Sequence, residues 1–276
     1  MPGDSLEIVT LTDVGKLRTY NEDALLADEQ SGIVALADGM GGHRAAEVAS
    51  RMAVDIVANG LQSRMAEFIS DQTGQLPQQA IDQLVKQAND TILKNSTHRV
   101  DSQGRTYQGM GTTLSLAFFF NNRVILGHIG DSRIYRLRND NLELLTRDDS
   151  LLADQLELGM ISVKETGDSH NRNLVTQALG IQEDISVHVN AVDAVTDDIF
   201  LLCSDGLTDM VDHADMELIL NSLKSNLPLT AQQLIQAAND NGGYDNASVI
   251  LIKIKAPFAA APDRKGWTNK LFGWIK

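Results

Sequence analysis

At 276 residues, 43% of them hydrophobic, the chain is long enough for one large domain with a substantial core, and no low-complexity stretch marks a linker. Its 37 acidic against 23 basic residues, a formal net charge of −14, argue against broad nucleic-acid binding and suit a protein that gathers cations. One cysteine, Cys203 in the apolar run Ile199 to Cys203, excludes an internal disulfide and reads as a packing residue. No signal peptide follows Met1 and no apolar run spans a bilayer, so the expected location is the cytoplasm.

In chain order, the opening reads as strands: Leu6 to Leu11, Asp23 to Asp28, and the short apolar run Ile33 to Ala37. From Arg44 to Leu61 the period changes, and Val48, Met52, Ile56 and Val57 share a helical face. A second helix runs from Pro77 to about Asn95, with proline suited to its first turn. Strands follow at Thr113 to Phe120, Val124 to Ile129 and Arg133 to Leu137, the first two joined by an Asn121-Asn122 hairpin turn. Residues 148–173 are polar and weakly helical without a clear core face, which suggests a surface insertion or flap. Strands return at Ile185 to Val192 and Ile199 to Cys203, helices at Asp215 to Leu223 and Thr230 to Asn239, and a last strand at Ala247 to Lys255. Paired helices between adjacent, hairpin-joined strands predict an α+β layered fold with antiparallel sheets.

One device recurs along these strands. Ile33 to Ala37 ends in Asp38-Gly39, Ile199 to Cys203 ends in Ser204-Asp205-Gly206, and Val124 to Ile129 leads into Gly130-Asp131. A further carboxylate, Asp245, stands just before the final strand. A carboxylate at the end of a buried strand is costly unless it is paired or met by a cation. Asp-Gly is also an ordinary turn dipeptide, so a single case carries little weight, whereas the repetition predicts a convergent cluster. Close in sequence, only Asp131 has a basic neighbour, Arg133. All-oxygen ligands from distant segments suit Mg²⁺ or Mn²⁺, and the twelve-residue calcium loop is absent. The Gly39-Met40-Gly41-Gly42 run fails as a dinucleotide loop, because Arg44 takes the third glycine position and Asp38 would repel a pyrophosphate.

The ordered motifs resemble the metal-dependent type 2C (PPM) serine/threonine phosphatases, in their bacterial form. They are Arg18-Thr19-Tyr20-Asn21-Glu22-Asp23, Ala37-Asp38-Gly39-Met40-Gly41-Gly42-His43, Gly109-Met110-Gly111-Thr112-Thr113 and Gly130-Asp131-Ser132-Arg133. After them come Leu145 to Ser150, Leu202 to Asp209 and Gly243-Tyr244-Asp245-Asn246, so the match spans about Thr10 to Ile252. The resemblance implies a central sandwich of two antiparallel sheets flanked by helices on both sides, with the flap beside the active site. It implies hydrolysis of phosphoserine and phosphothreonine in proteins by a metal-activated water, reversing a serine/threonine kinase in bacterial signalling. Asp38 would bridge two Mn²⁺ or Mg²⁺ ions, with Asp205 and Asp245 completing the first site. The Gly39 carbonyl and Glu22, through water, would serve the second, and Asp131 with Asp205 a third, weaker ion. Arg18 would bind the substrate phosphate. Met40 stands where many eukaryotic members carry a histidine proposed as the general acid, which leaves His43 and water as proton donors. The family is mostly monomeric, and phosphoproteins, with a cognate kinase or its targets among them, are the expected partners.

Other residues have plainer readings: His128 as packing, His170 as solvent-exposed, Asp148 and Asp149 as a helix cap or turn, and Thr112 and Thr113 as support for the site. Ser132 and Ser204 neighbour aspartates but have no histidine-base pattern of a serine nucleophile. The catalytic domain is expected over 1–255, followed by a tail over 256–276. In the tail Arg264, Lys265, Lys270 and Lys276 interleave with Trp267, Leu271, Phe272, Trp274 and Ile275, a basic amphipathic pattern suited to a membrane or partner surface, or to packing on its own domain. The alternatives to an enzyme are a non-catalytic phosphoprotein-binding module on the same fold and a calcium-stabilised structural protein. The intact set Arg18, Glu22, Asp38, Asp205 and Asp245 argues against the former.

Overall fold

A computed structural model describes residues 2–41, 44–71, 73–98, 107–160 and 174–258. A turn of 3-10 helix at Gly3–Ser5 leads into β1 (Leu6–Asp13), β2 (Ala24–Asp28), β3 (Ile33–Ala37) and β4 (Gly39–Met40). Helices α1 (Arg44–Ser63), α2 (Met65–Ser70) and α3 (Leu76–His98) follow. Next come β5 (Gly111–Thr112), β6 (Leu114–Phe120), β7 (Arg123–Ile129), β8 (Arg133–Arg138), β9 (Asn141–Leu144) and α4 (Leu151–Glu157). The remainder is β10 (His188–Asp193), β11 (Ile199–Cys203), α5 (Asp205–Thr208), α6 (His213–Leu223), α7 (Leu227–Asp240) and β12 (Ala247–Ile254).

The strands form two five-stranded antiparallel sheets, β1-β12-β11-β8-β9 and β10-β7-β6-β3-β2, plus the small β4-β5 pair. Alternation along each strand decides what each sheet covers. Val34, Leu36, Phe119, Phe200, Leu202, Ile250 and Ile252 fill the space between the sheets. Ile33, Ala35, Leu116 and Phe118 face outward under α1, α2 and α3. Leu201, Cys203, Val249 and Leu251 face outward under α6 and α7. Both faces of each sheet are thus covered, which is why the central strands read as unbroken apolar runs. The layers are helix, sheet, sheet, helix, as the family resemblance implied.

Antiparallel register fixes which strand ends meet. In one sheet Leu36 pairs with Ser115 and Leu114 with Ile129, so the end of β3, the start of β6 and the end of β7 share a pole. In the other, Cys203 pairs with Val249 and Arg133 while Asp13 pairs with Ala247, which brings together the end of β11 and the starts of β8 and β12. The Asn121-Asn122 turn has both residues at positive φ, 52° and 59°, as a two-residue hairpin requires.

The structure adds short elements that carry little sequence signal: β9, where only Leu142 is buried, the β4-β5 pair, α2 and α5. Strand β10 begins at His188, three residues later than its β-like run suggested. The weakly helical flap holds one two-turn helix, α4, and residues 161–173, including His170, lie outside the described residues. Its cap is Ser150, whose Oγ accepts from the Ala153 N–H, not Asp148 or Asp149. The tail from residue 259 onward also lies outside the described residues, whereas Phe258 is buried against Phe119 and still belongs to the core.

Candidate active site

The shared pole gathers carboxylates from both sheets. Asp38 leaves β3 on the parity that sends Val34 and Leu36 between the sheets, so it enters the seam. Its backbone is pinned there: its N–H donates to Thr113 Oγ1 at 2.9 Å, and its carbonyl accepts from the Thr113 N–H and, at 2.8 Å, from Thr112 Oγ1. Thr112 and Thr113 therefore have the supporting role their position suggested. Asp205 opens α5, and Asp209, one turn later, projects along the same face. Asp131 follows Gly130, whose φ of +104° and close approach to the Thr113 side chain leave no room for a Cβ. Asp245 precedes β12, with one oxygen accepting from the Asn246 N–H at 2.8 Å.

Electrostatics binds these residues into one unit. The Asp38 and Asp205 carboxyls lie close enough for each to shift the other's titration. Burial, followed by the charges of Asp23 and Asp205, pushes Asp38 well above the usual carboxylate range. Burial and then the Asp205 charge push Asp131 up to about 8. Burial likewise raises Asp205 to about 6, against the lowering effect of Asp38. Asp23 is raised to about 7, chiefly by burial, even though Ser248 Oγ donates to it at 2.5 Å and Ser204 Oγ at 3.1 Å. A set of acids that holds protons near neutral pH is short of positive charge.

The basic residues do not supply it in full. Arg133 does not serve Asp131: its guanidinium forks onto Asp148, Nε to Oδ1 at 2.9 Å and Nη2 to Oδ2 at 2.7 Å. Arg18, remote in sequence, pairs with Asp245 Oδ2 at 2.5 Å. Sequence proximity thus chose the wrong arginine partner for this cluster. Buried and without a hydrogen-bond partner are Asp23 Oδ1 and Asp205 Oδ1. Among the described residues no three carboxylate, imidazole or thiol groups close round a single point. The donor chemistry nonetheless fits hard dications: crowded carboxylates, two orphaned oxygens, and no sulfur or nitrogen donor.

Glu22 and Gly39 adjoin this cluster. Glu22 is buried, with its N–H donating to Asn246 Oδ1 at 2.8 Å and its carbonyl accepting from Ser50 Oγ at 2.7 Å. Gly39 lies in β4, where a Cβ would meet the Ala46 carbonyl at 2.5 Å and the Glu22 carbonyl at 2.7 Å. His43 lies outside the described residues. Met40 pairs with Gly111 in the β4-β5 ladder.

Sequence reasoning gave no role to Asp23, Asp209 or Asn246, and read Asp149 as no more than a cap or turn. Asn246 Nδ2 donates to the carbonyls of Val14 and Tyr20, which ties the Arg18 loop to the Asp245 turn. Buried Asp149 accepts from the Gly130 N–H at 3.0 Å and bonds His188 Nε2 at 2.9 Å, linking the flap root to the Asp131 loop. The signal for Asp23 and Asp209 was present, a carboxylate beside Glu22 and another four residues after Asp205 on a helix. His128 and Cys203 are buried, as expected, and burial lifts the thiol to about 12, which keeps it inert.

Known proteins resemble this chain over most of its length. The family described as protein phosphatase 2C matches residues 17–238. The serine/threonine phosphatase stp of Listeria innocua is 37% identical over 245 residues, covering 88% of this chain and 93% of that protein. The protein phosphatase PhpP of Streptococcus pneumoniae is 32% identical over 256 residues, covering 90% and 98%. The crystal structure of the Mycobacterium tuberculosis serine/threonine phosphatase PstP/Ppp superposes with a TM-score of 0.77 at 32% identity, covering 91% of this chain and 99% of that one. The catalytic domain of PstP in complex with two manganese ions gives 0.76.

Proposed function

The chain belongs to the protein phosphatase 2C family and is a metal-dependent serine/threonine phosphatase, and from that premise we propose how its own residues divide the work. The observation that carries the proposal is the convergence of Asp38, Asp131, Asp205 and Asp245 from both sheets beside Arg18. Asp38, Asp205 and Asp245 would hold one divalent cation, Asp38 with the Gly39 carbonyl and, through water, Glu22 would hold a second, and Asp131 with Asp205 would hold a third. Manganese is the first choice, by analogy with the PstP complex, and magnesium an equivalent. When bound, such ions acidify a water and draw charge from phosphoryl oxygens.

Arg18 grips the phosphate of phosphoserine or phosphothreonine. Its single hydrogen bond among the described residues, to Asp245, leaves most of its planar fork for two phosphoryl oxygens. Thr112 and Thr113 keep the Asp38 backbone from yielding as charge builds up. Met40 has no proton to give the leaving oxygen, so that task falls to His43 or to solvent. Substrates are phosphoproteins, including a cognate kinase or that kinase's targets, and the chain works as a cytoplasmic monomer in signalling. Among the described residues no helix is long and apolar enough to cross a membrane.

The catalytic domain runs past the expected boundary at 255 to Phe258, which packs in the core, and the tail beyond it docks on an anionic membrane or a partner. Both tryptophans of the chain, Trp267 and Trp274, are in this tail, so fluorescence reports on it alone. A blue shift with anionic vesicles supports docking, and an unchanged spectrum removes the membrane. For the catalytic reading, EDTA should abolish phosphopeptide hydrolysis and manganese restore it, while Asp38→Asn or Asp205→Asn should nearly eliminate turnover. Retention of most activity by Asp38→Asn in the presence of chelator would overturn the assignment.

A further inference from the structure

The site is rimmed by large apolar side chains left in water. Leu17 is 67% exposed, Tyr20 61% and Tyr244 59%, and they bracket Arg18 and Asp245 in the sequence. Singly exposed apolar residues are unremarkable on protein surfaces, but a group displayed around one functional arginine calls for a reason.

The two loops that carry them are stitched together. The N–H groups of Lys16 and Leu17 donate to the Gly243 carbonyl at 2.7 and 3.3 Å. Asn246 Nδ2 donates to the Tyr20 carbonyl at 3.0 Å, and Arg18 meets Asp245 at 2.5 Å. Gly15 packs so closely on the Asp245 carbonyl that a Cβ there would overlap it. The Tyr244 ring lies over Gly242, where a Cβ would sit 2.9 Å from the ring. Backbone constraint therefore presents these side chains, so little ordering is needed when they meet a partner. Tyrosine adds large contact area with few rotamers to freeze.

We propose that Leu17, Tyr20 and Tyr244 receive the residues flanking the phosphorylated serine or threonine, and that the chain prefers phosphoprotein segments with aliphatic or aromatic side chains there. The inference rests on the phosphoprotein reading of the Arg18 site. The chemistry of the rim supports the choice of occupant. The phosphate finds its cation in Arg18, while Leu17, Tyr20 and Tyr244 carry no charge with which to pair an acidic or basic flank. Apolar flanks bury surface on the rim that is now wet, whereas charged flanks would lose hydration there without a partner.

The test is a series of phosphothreonine peptides identical except at the flanking positions, which carry leucine or tyrosine in one set, serine in a second and glutamate in a third. With manganese present, kcat/KM should be on the order of tenfold higher for the apolar set than for the serine set, the scale of one partly buried apolar group. In Leu17→Ser with Tyr244→Ser the apolar-to-serine ratio should fall towards one, and Tyr244→Phe should restore part of it. Leu17→Ser alone gives a second reading if the paired change disturbs the Gly242 turn. Equal turnover of the apolar and serine sets by the unaltered chain, or a ratio unchanged in the serine variants, overturns the rim. Hydrolysis of an aryl phosphate without hydrolysis of any phosphopeptide overturns the phosphoprotein reading, and the rim with it.

Discussion

Raising the pH from about 6.5 to about 8 in a chelator should destabilise this chain, and the acidic cluster sets the size of the effect. Asp131 holds its proton to about 8 and Asp23 to about 7, whereas an unfolded aspartate loses it near ~3.9. Across this window the folded state therefore carries protons that the unfolded chain has already released, and each rise in pH favours unfolding. Asp131 contributes over roughly 1.5 units and Asp23 over roughly 0.5, which at ~1.4 kcal/mol per unit comes to about 3 kcal/mol. Asp38 acts in the same direction. Below pH ~6.5 buried His128 opposes the trend, because burial depresses its pKa and an unfolded imidazole takes up a proton there. At about 2–4 °C per kcal/mol for a chain of this size, the melting temperature should fall by about 6–12 °C. Circular dichroism melts in EDTA at constant ionic strength measure this directly. Asp131→Asn should remove about two thirds of the slope, and saturating manganese should flatten it, because the ions bind the ionised carboxylates. A melting temperature that is level or rises across the window in chelator would refute the reasoning.

Three other perturbations test separate parts of the structure. Arg18→Ala should raise KM for a phosphopeptide about 10–100-fold with a smaller change in kcat, the loss of a charge-assisted phosphate contact; an unchanged KM would move phosphate binding elsewhere. Phe119→Ala removes a buried ring that meets Phe200 at 5.5 Å and Phe258 at 6.1 Å, and should cost about 3–5 kcal/mol in urea unfolding. Gly206→Ala would drive a Cβ into the Asn246 carbonyl oxygen, a backbone atom with little freedom to move, so it should cost about 1–3 kcal/mol and weaken manganese binding measured calorimetrically.

Much of this architecture could be read from the residues because its physics is local. The central strands are apolar on both faces, and β3 and β11 emerge with the bounds their apolar runs predict. The Asn-Asn turn announces itself through positive φ. Elements with one weak face do not: β9 buries only Leu142, and α5 is a single turn whose sequence also reads as a loop. The same division holds within the site. Asp38 and Asp205 are conspicuous at the ends of apolar runs, whereas Asp23 follows no such run, and its weaker signal beside Glu22 gains meaning from the Ser204 and Ser248 hydroxyls that reach it from another sheet. Ion pairs were the least legible feature. Arg133 lies two residues from Asp131 yet binds Asp148, while Arg18 crosses the whole chain to Asp245. Which side of a strand a guanidinium leaves from matters more than its distance in sequence.

Why two sheets are needed follows from where the acids originate. Asp38 leaves the sheet that contains β3, Asp205 and Asp245 adjoin β11 and β12 of the other, and Asp131 lies on the link from β7 to β8 that joins the two. The cluster therefore straddles a seam whose width is set by the side chains between the sheets, Leu36, Phe119, Phe200, Leu202 and Ile250 among them. Interiors packed this densely transmit volume changes rather than absorb them. Removing bulk from the seam should then alter the spacing between acids on opposite sheets as well as the stability of the fold. Equal bulk removed from the outer core, for instance Phe118→Ala beneath α2, lowers stability without reaching the seam. Variants matched in this way should accordingly differ in manganese affinity, with Phe119→Ala weaker than Phe118→Ala. Equal affinities would mean that loops, and not the packed sheets, hold the carboxylates in register.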